Sequence, residues 1–206
     1  MKPEFAPGFI PPDERARLLA LARSSIRDFL LHQRAPEAAA LPKPGEHRGA
    51  FVTLHLAGRL RGCIGRMDSP DPLDTLVAVL AVLAASRDPR FPPLQPHELD
   101  AVEIELSILT PPETVPAADV LDRLQTGVHG VAVSLGGARG LLLPQVAPEQ
   151  GWNAHRFLEE TCRKAGLPPH AWRDPDARIE LFTAEVFSEA EYPAGNANAA
   201  GGMTHK

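Results

Sequence analysis

Cysteine is scarce: Cys63 and Cys162 are the two in 206 residues, so no disulfide framework organises the fold, and a reducing compartment would keep both as thiols. Long apolar runs are also missing. The longest, LVAVLAVLAA at 76–85, falls short of the about 18 residues that a membrane-crossing helix needs. The opening MKPEFAPGFIPPDERARL has no continuous apolar stretch ahead of a cleavage site, so the expectation is a cytoplasmic protein with no membrane contact. A net charge of −5 removes any general attraction to nucleic-acid phosphates. With aromatic side chains at 5% of the chain, a base-stacking surface is poorly supplied. Nucleic-acid binding would need a local basic patch, for which Arg59, Arg61 and Arg90 are the candidates.

What is present reads as alternating helices and hairpins. From Pro12, PDERARLLALARSSIRDFLL sets Leu18, Leu21, Ala22, Ser25, Ile26 and Phe29 at helical spacing, with Asp13 and Glu14 at the positive end of the helix dipole. A proline-rich loop follows, RAPEAAALPKPGEHRG. FVTLHL (51–56) and RLRGCIG (59–65) flank Ala57-Gly58 as a hairpin. Strict alternation would put Leu60, Gly62 and Ile64 on one face and Arg59, Arg61 and Cys63 on the other. Asp71-Pro72 suggests a capped start for an apolar helix over 72–85. VEIELSIL (102–109) alternates as a half-buried strand.

The second half begins with a short helix candidate, AADVLDRLQ, and a hairpin of GVAVSL (130–135) and RGLLLPQV (139–146) about Gly136-Gly137. WNAHRFLEETCRKAG is a helix with Cys162 on its apolar stripe, which makes that thiol a core residue. RIELFTAEVF (178–187) reads as one last strand. From about Glu189 the tail EYPAGNANAAGGMTHK has too little apolar content to pack and is expected to be mobile, leaving 1–188 as the folded domain.

RGAFVTLHLAGRLRGCIG, SRDPRFPPLQPHEL, VEIELSILTPPE, LLLPQV and FLEETCRKAGL, in this order, resemble the AMMECR-type domain family, whose prokaryotic members include AmmeMemoRadiSam system protein A. The resemblance runs from about Asp13 to Phe187. It implies an α+β fold, mixed helices and largely antiparallel sheets in two unequal, tightly associated lobes, the larger using both chain ends. It also implies Memo-type and radical-SAM proteins as partners, and it carries no agreed catalytic assignment.

The chemistry worth weighing sits at Arg61, Gly62, Cys63, Ile64 and Gly65 and at Asp88, Pro89, Arg90 and Phe91. A cysteine acts as nucleophile through its thiolate, which a neighbouring cation favours, and Arg61 two residues away on the same face would supply one. Cys63 and Arg61 are therefore the catalytic candidates, with Gly62, Gly65 and Arg90 as ligand-binding candidates where missing side chains admit a ligand to the backbone. The competing reading makes Cys63 a small buried hydrophobe, the glycines packing sites, and Arg61 the partner of Glu103 or Glu105. In that reading Asp88 bonds nearby backbone and Phe91 plugs the core. His47, His55, His129 and His155 show no metal-binding spacing, so neither metal nor cofactor is expected. Function thus divides between a small-molecule or modified-residue site at Cys63 and Arg61, a non-catalytic adaptor docking through the RGCIG face, and, more weakly, RNA binding.

Overall fold

A computed structural model of the chain describes residues 10–36 and 48–192. In chain order its elements are α1 (Pro12–His32), β1 (Ala50–Leu56), β2 (Arg59–Arg66), α2 (Leu73–Ser86), β3 (Val102–Leu109), β4 (Glu113–Val115), α3 (Val120–Arg123), β5 (Gly130–Leu135), β6 (Ala138–Leu142), α4 (Val146–Glu149), α5 (Ala154–Lys164), β7 (Arg178–Phe182) and β8 (Ala184–Ser188). The strands form two four-stranded antiparallel sheets, ordered β2-β1-β3-β8 and β4-β7-β5-β6, so the fold is α+β. The chain divides into two compact units, Met1–Ile108 with Glu185–Lys206 and Leu109–Ala184.

In the first unit α1 and α2 cover one face of the sheet β2-β1-β3-β8. Leu18, Leu19, Ala22 and Ile26 of α1 meet Leu76, Leu80, Ala81 and Ala84 of α2 and Val52, Leu54, Ile104 and Leu106 of the sheet in one apolar core. Leu21 and Phe29, expected on the buried stripe of α1, are half-buried, and Leu19 takes the inner place. No side chain caps α2, whose N-cap is Pro72 and not Asp71 as expected; Asp71 accepts from the Ser69 hydroxyl at 3.0 Å. The β1–β2 turn has Ala57 at φ 50° and Gly58 at φ 73°, the left-handed pair that lets two right-twisted strands meet over two residues.

The second unit packs α5 on its own sheet through Phe157, Leu158 and Cys162, against Val131, Val133, Ile179 and Trp172. Asn153 caps α5 by accepting from the Arg156 N–H at 2.9 Å. Cys162 is fully buried, and burial pushes its thiol pKa up.

Two further expectations change. The run 178–187 is two strands in two sheets, separated at Thr183, whose N–H donates to the Thr110 hydroxyl at 2.9 Å and whose carbonyl accepts from the Thr110 N–H at 3.0 Å. The tail expected to be mobile from residue 189 begins with packed residues, since Glu189 forms an ion pair with Arg23 and accepts from the Ile104 N–H at 2.9 Å. Arg23 also donates to the carbonyls of Leu99 and Val102, and the Tyr192 ring stands edge-on to Phe187. Composition hid this because a single carboxylate and one aromatic ring make the attachment. Residues 193–206 lie outside the described residues.

Glu189→Ala should therefore lower stability by about 1.5 to 3 kcal/mol, the range for hydrogen bonds to charged groups that are largely shielded. Urea titration reads this directly, and an unchanged midpoint would show that Glu189 holds nothing.

Candidate functional site

The site is built on a register shift. The two-residue turn pairs Leu56 with Arg59 and His55 with Leu60, but Leu54 then pairs with Gly62, leaving Arg61 as the extra residue of a β-bulge. Every residue beyond it changes face relative to simple alternation. Leu60 thus shares a side with Cys63, not with Gly62 and Ile64 as expected. Cys63 comes opposite Thr53, and Thr53 in turn lies opposite Glu105 of β3, so the three form one row across the outer face of the sheet. The Thr53 hydroxyl donates to Cys63 Sγ at 3.4 Å. Cys63 is half-buried.

Both glycines of the motif are filled by the protein itself. A Cβ on Gly62 would collide with the Ala84 carbonyl at the end of α2, and one on Gly65 would enter the Phe51 ring, which lies across it from the paired strand. The backbone approach that glycine permits is made here by a helix and an aromatic ring. This corrects the expectation that Gly62 and Gly65 admit a ligand.

Arg61 is likewise committed elsewhere. Its Nε and Nη2 form a two-point pair with Glu98 at 2.8 and 2.9 Å, and Nη1 donates to the Pro92 carbonyl at 2.9 Å. Glu98 also accepts from the Gln95 N–H at 2.8 Å, and the Arg61 guanidinium holds the Glu98 carboxyl below its usual range. The partner is thus Glu98 on the following 3-10 turn, not the cross-strand Glu103 or Glu105.

The cation beside Cys63 is Arg90. β2 is an outer strand of its sheet, and at Cys63 its free edge is closed by side chains: the Cys63 N–H donates to Asp88 Oδ2 at 2.8 Å, and the Cys63 carbonyl accepts from Arg90 Nη2 at 3.3 Å. Asp88 and Arg90 thereby imitate the acceptor and donor that a neighbouring strand would offer. The Asp88 side chain is 2% exposed and also accepts from Arg90 Nε at 3.0 Å, Nη2 at 2.7 Å and backbone N–H at 3.1 Å. Arg90, its side chain 56% exposed, lies 5.5 Å from the Phe91 ring centroid. Its pKa is raised first by the bond to Asp88, with smaller contributions from charge and hydrogen bonding with Cys63. Phe91 is only half-buried, and the core plug in this loop is Leu94, 2% exposed, whose N–H donates to the Ala85 carbonyl at 2.7 Å.

Thr53 is the residue sequence reading missed, because counting back from the turn without a bulge places it opposite Gly62. His55 lies two residues along β1 from Thr53, on the same face, with Nε2 buried and unpartnered among the described residues. No group of three or more His, Cys, Asp or Glu among the described residues is arranged to hold a metal ion, and no described helix is long and apolar enough to cross a membrane. Two of the three arginines proposed for an RNA patch, Arg61 and Arg90, are ion-paired with Glu98 and Asp88.

The Arg90 guanidinium holds the Asp88 carboxyl far below the usual carboxylate range. A depressed pKa means that the folded state favours the ionised form. The stabilisation is therefore complete above the unfolded value of about 3.9 and is lost as pH falls below it. Asp88→Asn should cost about 2 to 3 kcal/mol at neutral pH, discounted for the exposed guanidinium, and progressively less in acid, as the unfolded chain's Asp88 takes up its proton below about 3.9. Denaturation midpoints of both proteins from pH 7 to pH 2 check this, and a pH-independent gap would contradict the assignment.

With this geometry in hand, the likeness to known proteins is specific. The AMMECR1 family profile matches residues 19–187. A protein of Methanothermobacter thermautotrophicus is 44% identical over 194 residues, which span 90% of this chain and 98% of the relative. One from Methanosarcina barkeri is 44% identical over 182 residues, 85% of this chain and 89% of the relative. The crystal structure of an uncharacterized protein from Pyrococcus horikoshii superposes with a TM-score of 0.75 at 40% identity, covering 84% of this chain and 90% of that one. The chain belongs to the AMMECR1 family.

Proposed function

We propose that the outer face of the β2-β1-β3-β8 sheet carries a thiol site at which Cys63 reacts with a small molecule or a modified residue. One observation carries the reading: the half-buried Cys63 sulfur accepts a hydrogen bond from Thr53 while an arginine, fixed by a buried carboxylate, interacts with the same residue. The thiolate is the nucleophilic form of cysteine, and a hydroxyl and a cation are groups that can orient a sulfur and its reactant for attack. In this reading Cys63 is the nucleophile, Arg90 the neighbouring cation, Thr53 the hydrogen-bond donor to sulfur, and Asp88 a positioning residue. Arg61, bound to Glu98, shapes the strand and does not touch the thiol. The protein would work beside Memo-type and radical-SAM proteins, a proposal that follows the family resemblance.

The adaptor alternative draws no support from this edge of the sheet. A partner adding a strand to β2 would have to displace Asp88 and Arg90 from the Cys63 backbone groups. A cytosolic location fits a working thiol and belongs to the same proposal.

Alkylation of the native protein by iodoacetamide tests the reading. Cys63 should react at least as fast as N-acetylcysteine amide at the same pH, and Thr53→Val should slow it about threefold, the factor expected for one weak hydrogen bond. Cys162, enclosed in the core of its own unit, should react only on denaturation. If native Cys63 reacts more than about tenfold slower than the free thiol, it is a packing residue and the reading fails.

A further inference from the structure

The orientation of Arg90 says what kind of reactant the thiol would take. Asp88 Oδ1 and Oδ2 accept from Nε and Nη2 of Arg90, and Nη2 is shared with the Cys63 carbonyl. Those contacts leave Nη1 as the guanidinium nitrogen with no hydrogen-bond partner among the described residues, on a side chain that is 56% exposed. The negative member of the pair is buried, and its oxygens are occupied by three donor contacts from Arg90 together with the Cys63 N–H that completes the set. Charge is therefore separated by depth, with the anion enclosed and the cation presented outward beside Cys63.

We infer that the site takes anionic electrophiles, small molecules whose electrophilic carbon lies within about two bonds of a carboxylate or phosphate, with Arg90 Nη1 gripping the anion while Cys63 attacks the carbon. This names the reactant class of the thiol site and so rests on the function proposed above. The two functions divide cleanly between the residues. Arg90 cannot turn its bidentate edge to a ligand without abandoning Asp88, which would leave a buried carboxylate unpaired, so the free Nη1 corner does the recognising. Phe91, against one face of the guanidinium, limits its swing. Bound this way, a carboxylate carries its neighbouring carbon toward the sulfur, and the benefit is positional as well as electrostatic.

Iodoacetate serves as the probe because it matches this description and its neutral twin, iodoacetamide, lacks the charge. In the reaction the Cys63 thiolate forms an S–C bond to the methylene carbon, the C–I bond breaks, iodide leaves with the electron pair, and the thiol proton has passed to solvent. Nothing is oxidised or reduced at the protein's expense beyond this substitution.

The measurement is the ratio of iodoacetate to iodoacetamide rates at Cys63, divided by the same ratio for N-acetylcysteine amide at equal pH and ionic strength. A partly exposed arginine supports a normalised ratio of about three to five in the wild-type protein. That ratio should fall toward one as salt is raised, because exposed charges are screened. It should be near one in Arg90→Gln and partly retained in Arg90→Lys, which keeps the charge without the fork. Should Arg90→Gln misfold, the salt series and protection of wild-type Cys63 by unreactive acetate or inorganic phosphate decide the matter alone. A normalised ratio of one in wild-type protein, with iodoacetamide still fast, overturns the anionic preference and leaves the thiol site standing. Slow reaction with both reagents overturns both.

Discussion

The carboxylate of Asp88 joins the loop that follows α2 to the outer edge of β2 at Cys63. A buried carboxylate costs several kcal/mol unless its oxygens are filled by donors, and here the Cys63 N–H, the Arg90 N–H and the Arg90 guanidinium fill them. Three consequences follow from one solvation requirement. The loop leaving α2 is anchored to the sheet, the exposed edge of β2 is closed at Cys63, and a guanidinium is held against the Cys63 carbonyl. Leu94, buried and bonded to the Ala85 carbonyl, secures the far end of the same loop, so the carboxylate works on a segment already constrained at both sides.

The bulge at Arg61 is the second constraint. By inserting one residue between the Leu60 and Gly62 pairings, it turns Gly62 toward α2, where only hydrogen fits beneath the Ala84 carbonyl, and turns Cys63 outward to Thr53. Arg61 itself reaches Glu98, which closes the 3-10 turn at Pro96–Glu98 through Gln95. The motif RGCIG is therefore a folding device and a chemical one at once: its arginine and glycines position the strand, and its cysteine is what the strand presents.

Much of this was legible in the sequence where periodicity was strong. Strand Val102–Leu109 and the turn at Ala57-Gly58 are where alternation and turn chemistry put them, and α5 follows its stripe from Asn153 to Gly166. Bulges leave no such mark, since the extra residue is defined by a partner strand and not by its neighbours in sequence. Reading faces from alternation alone thus joined Arg61 to Cys63 and overlooked Thr53. The run Arg178–Phe187 carries strand-forming residues throughout, so composition could not show that Thr183 divides it between two sheets. The attachment of Glu189 is invisible for a related reason: a single carboxylate facing Arg23 and the Ile104 amide contributes nothing to a hydropathy pattern. The motif DPRF points to Arg90, but its placement beside Cys63 depends on Asp88 crossing to β2, a contact 25 residues apart in the chain.

Amide hydrogen exchange at Cys63, followed residue by residue by NMR, tests this account most directly. The Cys63 N–H points away from β1 on an outer strand, so apart from Asp88 it would face the edge of the sheet. The account predicts slow exchange in the wild-type protein and a selective rise in rate at Cys63 in Asp88→Ala, under conditions where amides of β1 and β3 in the interior of the sheet remain protected. Protection of Cys63 that survives the loss of Asp88, or fast exchange in the wild-type protein, would contradict the claim that this carboxylate closes the edge and sets the site.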